Sequence, residues 1–214
     1  MNGSRGSAEP VFSADLRGEV EDRATRRDVL TVAAGASVAA GITMLGGRAS
    51  AAHAAPSQAQ DQKILNFALL LEFLQAAFYS EAVRHGRLRG DAAEFAETVA
   101  EHEREHVQYL RRALGSRARK RPEFDFGDRT KKQGDFLAAA VLLENIGVAA
   151  YNGQAANLTK KTLAAAAEIV SVEGRHAAWV SAIAGEEPAP RAADPGATAS
   201  EVVATLRKTG FLAA

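Results

Sequence analysis

Leu70-Leu71-Glu72-Phe73-Leu74-Gln75-Ala76-Ala77-Phe78-Tyr79 and Leu142-Leu143-Glu144-Asn145-Ile146-Gly147-Val148-Ala149-Ala150-Tyr151 state one pattern twice: Leu-Leu-Glu, with a tyrosine seven residues after the glutamate. A second shared motif follows each. Glu103-x-x-His106-x-x-Tyr109 begins 31 residues beyond Glu72, and Glu173-x-x-His176-x-x-Trp179 begins 29 residues beyond Glu144. Apolar residues recur around all four motifs with helical period, and no segment alternates with the period of a strand. The chain therefore reads as an all-α protein built from a repeated pair of helices.

Working outward from these motifs gives the boundaries. The first helix runs from near Asp61 to His85, with Ile64, Phe67, Ala68, Leu71, Leu74, Gln75 and Phe78 on one face, and His85-Gly86 as its stop. Asp91-Ala92-Ala93-Glu94 has the form of a capping box opening the second helix, which reaches about Leu114, where Gly115 suits a left-handed end. Thr130-x-x-Gln133 is the expected start of the third, which extends to about Asn157; the fourth follows after only a few residues and ends near Gly185. The connections within each pair are short, so each pair is an antiparallel hairpin. The link between pairs, Gly115 to Thr130, is long and contains Pro122 and Phe124-Asp125-Phe126-Gly127. Two hairpins and one long crossover make a four-helix bundle over residues 61–185. Residues 55–60 read as a linker, and 186–214 as a Pro/Ala-rich linker followed by a short C-terminal helix from Ala199 to Lys208.

Residues three apart on a helix share a face, so Glu103 and His106 project together, as do Glu173 and His176. Ala96, Val99 and Leu110 flank the first pair; Ile169, Val180 and Ile183 flank the second. Glu72 and Glu144 also lie among apolar residues, so six polar side chains are aimed at one core. Clustered, buried carboxylates are forced toward the neutral form by one another and by desolvation. Two divalent cations would cancel four such charges. Glu72, Glu103, His106, Glu144, Glu173 and His176 are therefore the expected metal ligands, a set suited to two iron or two manganese ions.

Tyr79 and Tyr151 project within about 20° of Glu72 and Glu144, two turns on. They are read either as hydrogen-bond partners of the carboxylates and redox-active phenols or as core fillers; Tyr109 and Trp179 carry the same alternatives. Glu97, Glu101 and Glu105 fall off the inward face. His102, one turn before His106, fits a partner of the ligand set, though exposure is the ordinary outcome at its position.

Near the N-terminus, Arg26-Arg27 opens a charge-free run from Val29 to Gly47 that is followed by Ala52-His53-Ala54, with Ala49-Ser50-Ala51 as an alternative exit. Charged start, apolar middle and small-residue exit describe an export signal over residues 1–54, and the Arg pair resembles the twin-arginine type. The expected partner is the twin-arginine export machinery, and the expected location is the periplasm, cell envelope or extracellular space. The apolar run is long enough to serve as a membrane anchor if it is not cleaved.

Composition narrows the chemistry. There is no cysteine, which excludes disulfides, thiolate-bound zinc and iron–sulfur clusters; both methionines, Met1 and Met44, fall in the leader, so the remainder offers no methionine ligand to haem. The 26 basic and 26 acidic residues cancel, so nucleic acid is not an expected partner, and Arg117, Arg119, Lys120 and Arg121 read as a solvated crossover. A homo-oligomer is compatible with the sequence.

The six-residue set, within about residues 61–185, resembles the ferritin-like superfamily and its di-metal carboxylate proteins. Within it, Leu70–Ala82, the Phe124-Asp125-Phe126-Gly127 loop and Glu173-x-x-His176-Ala177-Ala178 look most like bacterial ferritin-like domain proteins related to plant desiccation-associated proteins. Lacking cysteine, the chain departs from rubrerythrin. The resemblance implies redox chemistry at a carboxylate-bridged metal pair, either oxidation of the metal in ferroxidase fashion or handling of dioxygen or peroxide. In that scheme Glu72 and Glu144 bridge or cap the metals. The alternative is a stress- or desiccation-related structural or binding protein in which the metal pair only holds the bundle together.

Overall fold

The structure is a computed structural model that describes residues 55–85 and 87–212; the proposed leader, with Arg26 and Arg27, lies outside the described residues. Among the described residues five α-helices follow in order: α1 Gln58–His85, α2 Asp91–Leu114, α3 Gln133–Gln154, α4 Lys160–Ala184 and α5 Ala199–Thr209. There is no strand among the described residues, and one isolated antiparallel bridge joins Phe124 to Leu212. This is the all-α bundle with a small C-terminal helix that the periodicity predicts.

α1 packs chiefly on α2, and α3 on α4. Contacts across the hairpins show how the pairs are set. Tyr151 meets Glu72 while Tyr79 meets Glu144, so α1 and α3 run antiparallel. The long crossover is needed for this, because it must carry the chain back along the bundle before α3 begins. Every residue from Ala68 to Gln75 is buried, a wider face than the sequence pattern gives, because neighbouring elements surround α1. Leu69 and Phe73 turn from the main core to a second cluster with Leu110, Leu114 and Ile169.

The crossover and the C-terminus close one end of the bundle. Phe126 makes edge contacts with Phe78 and Phe211, and Phe78 stacks on Phe136 with centroids 5.4 Å apart. Asp125 N–H donates to the Phe211 carbonyl. Val202 and Leu206 bury the apolar side of α5, whose N-terminus carries a full capping box between Thr198 and Glu201. The linker before α5 lies directly on α3: a Cβ on Gly153 would stand 1.9 Å from the Ala197 carbonyl oxygen, and Ala197 N–H donates to the Ala149 carbonyl. Only glycine permits that approach.

Several local expectations are corrected. α1 begins at Gln58, inside the proposed linker, because Ser57 starts it: its carbonyl accepts from Asp61 N–H and its hydroxyl from Gln60 N–H. The Asp91–Glu94 box does not form. Gly90 occupies the cap position of α2 and supplies no side chain. Thr130 is not the cap of α3 either; it is fully buried and its hydroxyl donates to Glu81, while Gln133 accepts from Arg89 N–H. Gly115 has positive φ, but with ψ −133° it lies outside the left-handed helical region and leads into a single 3₁₀ turn. Gly185, by contrast, takes the left-handed conformation, and Glu186 N–H closes back on the Ser181 carbonyl.

Asp61 ties the start of α1 to the start of α4. Its carboxylate accepts from Thr159 N–H, the Thr159 hydroxyl and the Thr162 hydroxyl. Although burial pushes its pKa up, these three donors hold it below the ordinary value. The second hairpin is thus fastened to the first at the end away from the aromatic cap.

Candidate metal centre

Each of the four central helices carries the same device, an acidic residue on an otherwise apolar face. Glu72 comes from α1, Glu103 and His106 from α2, Glu144 from α3, and Glu173 and His176 from α4. All six are buried, the four glutamates to within 1% of complete. Their ligating atoms converge into two overlapping groups: Glu72, Glu103, His106 and Glu173 in one, and Glu103, Glu144, Glu173 and His176 in the other, with the atoms of each group within 4.8 Å of one another.

The overlap assigns different places to the glutamates. Glu103 and Glu173 belong to both groups, so they stand where a bridge between two ions would be. Glu72 and Glu144 each belong to one group and stand at opposite caps. Glu103 shows this most directly: its Oε2 is 3.5 Å from His106 Nδ1, while its Oε1 is 3.4 Å from His176 Nδ1. His106 Nδ1 also lies 3.3 Å from Glu72 and 3.2 Å from Glu173, and His176 Nδ1 lies 3.3 Å from Glu144.

None of these contacts has hydrogen-bond geometry. Glu72 Oε2, both oxygens of Glu103, Glu144 Oε2, Glu173 Oε1 and the Nδ1 atoms of both histidines are buried without a hydrogen-bond partner among the described residues. Buried polar groups are nearly always paired, because each orphan costs free energy. Seven orphaned atoms facing one another form an electron-rich cage lined by lone pairs. That donor set fits divalent iron or manganese, which take carboxylate and imidazole ligands.

The oxygens that turn away from the cage are held by other side chains. The Tyr151 hydroxyl donates to Glu72 Oε1 at 2.6 Å, and the Tyr79 hydroxyl donates to Glu144 Oε1. Each tyrosine thus holds the capping glutamate of the opposite hairpin, not the one two turns back on its own helix. Burial first, then the charge of the partnered glutamate, pushes both phenols well above their ordinary pKa, so they remain protonated donors. Gln75 adds a second donor on one side only: its Nε2 lies 3.1 Å from Glu144 Oε1 and 3.5 Å from Glu173 Oε2. Helical spacing puts Gln75 on the inward face but does not by itself give it a role. The signal was a polar residue one turn after Glu72 on that face.

Of the two outcomes open to His102, the structure shows a partner of the ligand set, toward His176 on α4. His102 is partly buried in the α2–α4 seam, and its Nδ1 lies 2.9 Å from His176 Nε2 with the rings nearly parallel, 16° apart. Burial, then the neighbouring His176 and His106, keeps its pKa below the ordinary imidazole value. Glu97, Glu101 and Glu105 are exposed, as expected. Trp179 packs edge-on against Phe95 and serves the core. A surface depression of about 420 Å³ between α2 and α4 is lined by His102, Glu105, His106, Val172, Arg175, His176 and Trp179, and the edge of His106 is slightly exposed while His176 is buried.

Electrostatics repeat the geometric message. Burial, then the neighbouring carboxylates, raises Glu103 and Glu173 well above the ordinary carboxylate range. Glu72 goes the other way: burial would raise it, but His106, Glu103 and the Tyr151 hydroxyl hold it low. Although burial alone would lower it, His106 is pushed far upward by Glu103, Glu173 and Glu72. Without an ion, protons must gather in the cage to balance its charge.

A comparison with curated proteins finds no match to this chain. The family model described as a ferritin-like domain matches residues 60–186, which spans all four helices of the bundle and all six converging residues, and the chain belongs to that family.

Proposed function

We propose that this is an exported protein in which Glu72, Glu103, His106, Glu144, Glu173 and His176 hold two iron or two manganese ions for oxidation of metal or for handling dioxygen or peroxide. The observation that carries the reading is the set of seven buried, unpartnered carboxylate and imidazole atoms facing one small volume. A bound pair would supply reversible one-electron redox chemistry at adjacent centres. The chain's own part is to keep that volume dry and its donors aimed. Tyr151 holds Glu72 while Tyr79 and Gln75 hold Glu144, leaving one oxygen of each capping carboxylate free to face the cage. Protonated phenols hydrogen-bonded to the capping carboxylates are placed to serve as one-electron donors. The depression over the histidine edges is the short way in for a small molecule.

Export rests on Arg26-Arg27, the apolar run to Gly47 and the small residues ending at Ala54. Passage through the twin-arginine machinery in the folded state would let the metal be chosen before the protein reaches the periplasm, cell envelope or extracellular space. A stress-related setting rests only on the resemblance of Leu70–Ala82 and the Phe124–Gly127 loop noted in the sequence. A purely structural metal pair is the second reading, favoured by the completeness with which the four carboxylates are buried.

The test is anaerobic loading of apo-protein with Fe(II) or Mn(II), elemental analysis, then exposure to air or peroxide. Two ions per chain and rapid oxidation or peroxide loss support a redox role. Two ions without reaction support the structural role, and no uptake sinks both. Replacing Arg26 and Arg27 together by Lys should retain precursor in the cytoplasm; unchanged export would dismiss the twin-arginine route.

A further inference from the structure

Two polar residues that touch the site, Gln75 and His102, have no polar counterpart in the other copy of the repeat, and both favour the same half. Counting from the paired glutamates, the residue equivalent to His102 is Val172, and the residue equivalent to Gln75 is Gly147. A Cβ on Gly147 would stand 2.7 Å from Glu173 Oε2 and 3.6 Å from the Gln75 amide, so no second glutamine has room there. Gln75 alone fills the space and donates toward Glu144 and Glu173. Glu144 therefore has two donors on its outer oxygen, whereas Glu72 has one.

The histidines differ in the same sense. Nδ1 of each faces the cage, so a metal bound there requires Nδ1 to be free of its proton and leaves the proton on Nε2. His176 Nε2 then has an acceptor, His102 Nδ1, at 2.9 Å. The residue equivalent to His102 on the other hairpin, Val172, lines the same depression as His106 but has no polar atom to offer, and His106 is the more exposed of the two histidines, 9% against 2%. A partner on the outer nitrogen fixes the tautomer and the ring orientation and makes the inner nitrogen a better donor.

We propose that the two metal positions are inequivalent, that the one framed by Glu103, Glu144, Glu173 and His176 fills first, and that His102 is the positioning residue responsible. The inference rests on the metal reading above and concerns order and strength of binding, not activity. His102 itself touches no reacting atom; it acts through His176.

The full-length apo-protein is titrated anaerobically with Mn(II) by calorimetry, and crystals grown at one equivalent are examined by anomalous diffraction. Two resolved binding events are expected, with the first ion at the His176 position. His102→Ala should weaken the first event about 10- to 100-fold and leave the second in place, the usual penalty for losing such a partner. His102→Asn, which keeps an acceptor at that place, should restore much of the difference. Its retention of helical circular dichroism and cooperative melting separates a positioning effect from misfolding. Two equal events, first occupancy at His106, or a His102→Ala isotherm matching wild type would each overturn the inference while leaving a metal site standing. Absence of Mn(II) uptake by wild type would overturn the metal reading itself, and this inference with it.

Discussion

Replacing Glu103 by Gln should move the stability of the protein in opposite directions with and without metal. Glu103 is fully buried, both its oxygens lack a hydrogen-bond partner among the described residues, and burial plus neighbouring carboxylates raise its pKa well above the ordinary 4.5. In the apo-protein it is a liability. An unsatisfied buried group costs about 1–3 kcal/mol, so an amide that can donate to the neighbouring oxygens should stabilise the apo-bundle by about 2 kcal/mol. For a folded unit of this size that is about 4–8 °C in Tm. The amide also brings two N–H donors into a cage of acceptors. In the presence of metal the balance reverses. Glu103 is shared by both groups of converging atoms, so its loss weakens both positions at once. A site held at about 1,000 times its Kd contributes about 4 kcal/mol, which exceeds the apo gain even for one ion. The assay is thermal melting of wild type and Glu103→Gln, each with chelator and with excess Mn(II), together with metal content. Melting curves should cross: the variant higher with chelator, wild type higher with metal. An apo-variant less stable than apo-wild type would refute the argument that this carboxylate is uncompensated, and equal metal content would refute its place as a shared ligand.

Tyr151→Phe should cost the apo-protein about 2 kcal/mol and Tyr79→Phe only about 1, because Glu72 Oε1 loses its donor while Glu144 Oε1 keeps Gln75; chemical denaturation that ranks them the other way would dismiss this account of the asymmetry. In apo-protein, Glu103, Glu173 and His106 all have folded pKa values raised above their unfolded ones, 4.5 for the carboxylates and 6.5 for the imidazole. Their contributions are therefore complete below those values and fade as pH rises through the folded ones. Apo-protein Tm should fall as pH rises above about 5, whereas metal-loaded protein should lose its advantage as pH falls, since ligands must be deprotonated to bind; parallel pH profiles for the two forms would contradict this. Gly153→Ala, whose new Cβ would meet the Ala197 carbonyl, should cost about 1–3 kcal/mol and expose the segment before α5 to limited proteolysis. Gly174→Ala, with open space around it, should be neutral or slightly stabilising and serves as its control.

The helices and the converging residues were legible because both follow from local geometry. A 3.6-residue period puts Glu103 beside His106 and Glu173 beside His176 whatever else the chain does, and the repeat with Glu72 and Glu144 supplies the other half. Short and long connections then leave little choice of topology. Helix ends were less legible, because capping rules describe an isolated turn. Thr130 obeys the rule in sequence, yet its hydroxyl is taken by Glu81, a residue 49 positions away. The exchange of partners across the hairpins lay beyond any reading of spacing. Tyr79 is two turns from Glu72 on its own helix but bonds Glu144, and His102 reaches His176 from another helix. Period tells which face a side chain occupies; the antiparallel approach of α1 to α3 and of α2 to α4 decides what it meets there. For the same reason only the folded bundle distinguishes the shared glutamates from the capping ones, since all four are equally inward in sequence and differ only in how many imidazoles their oxygens can reach.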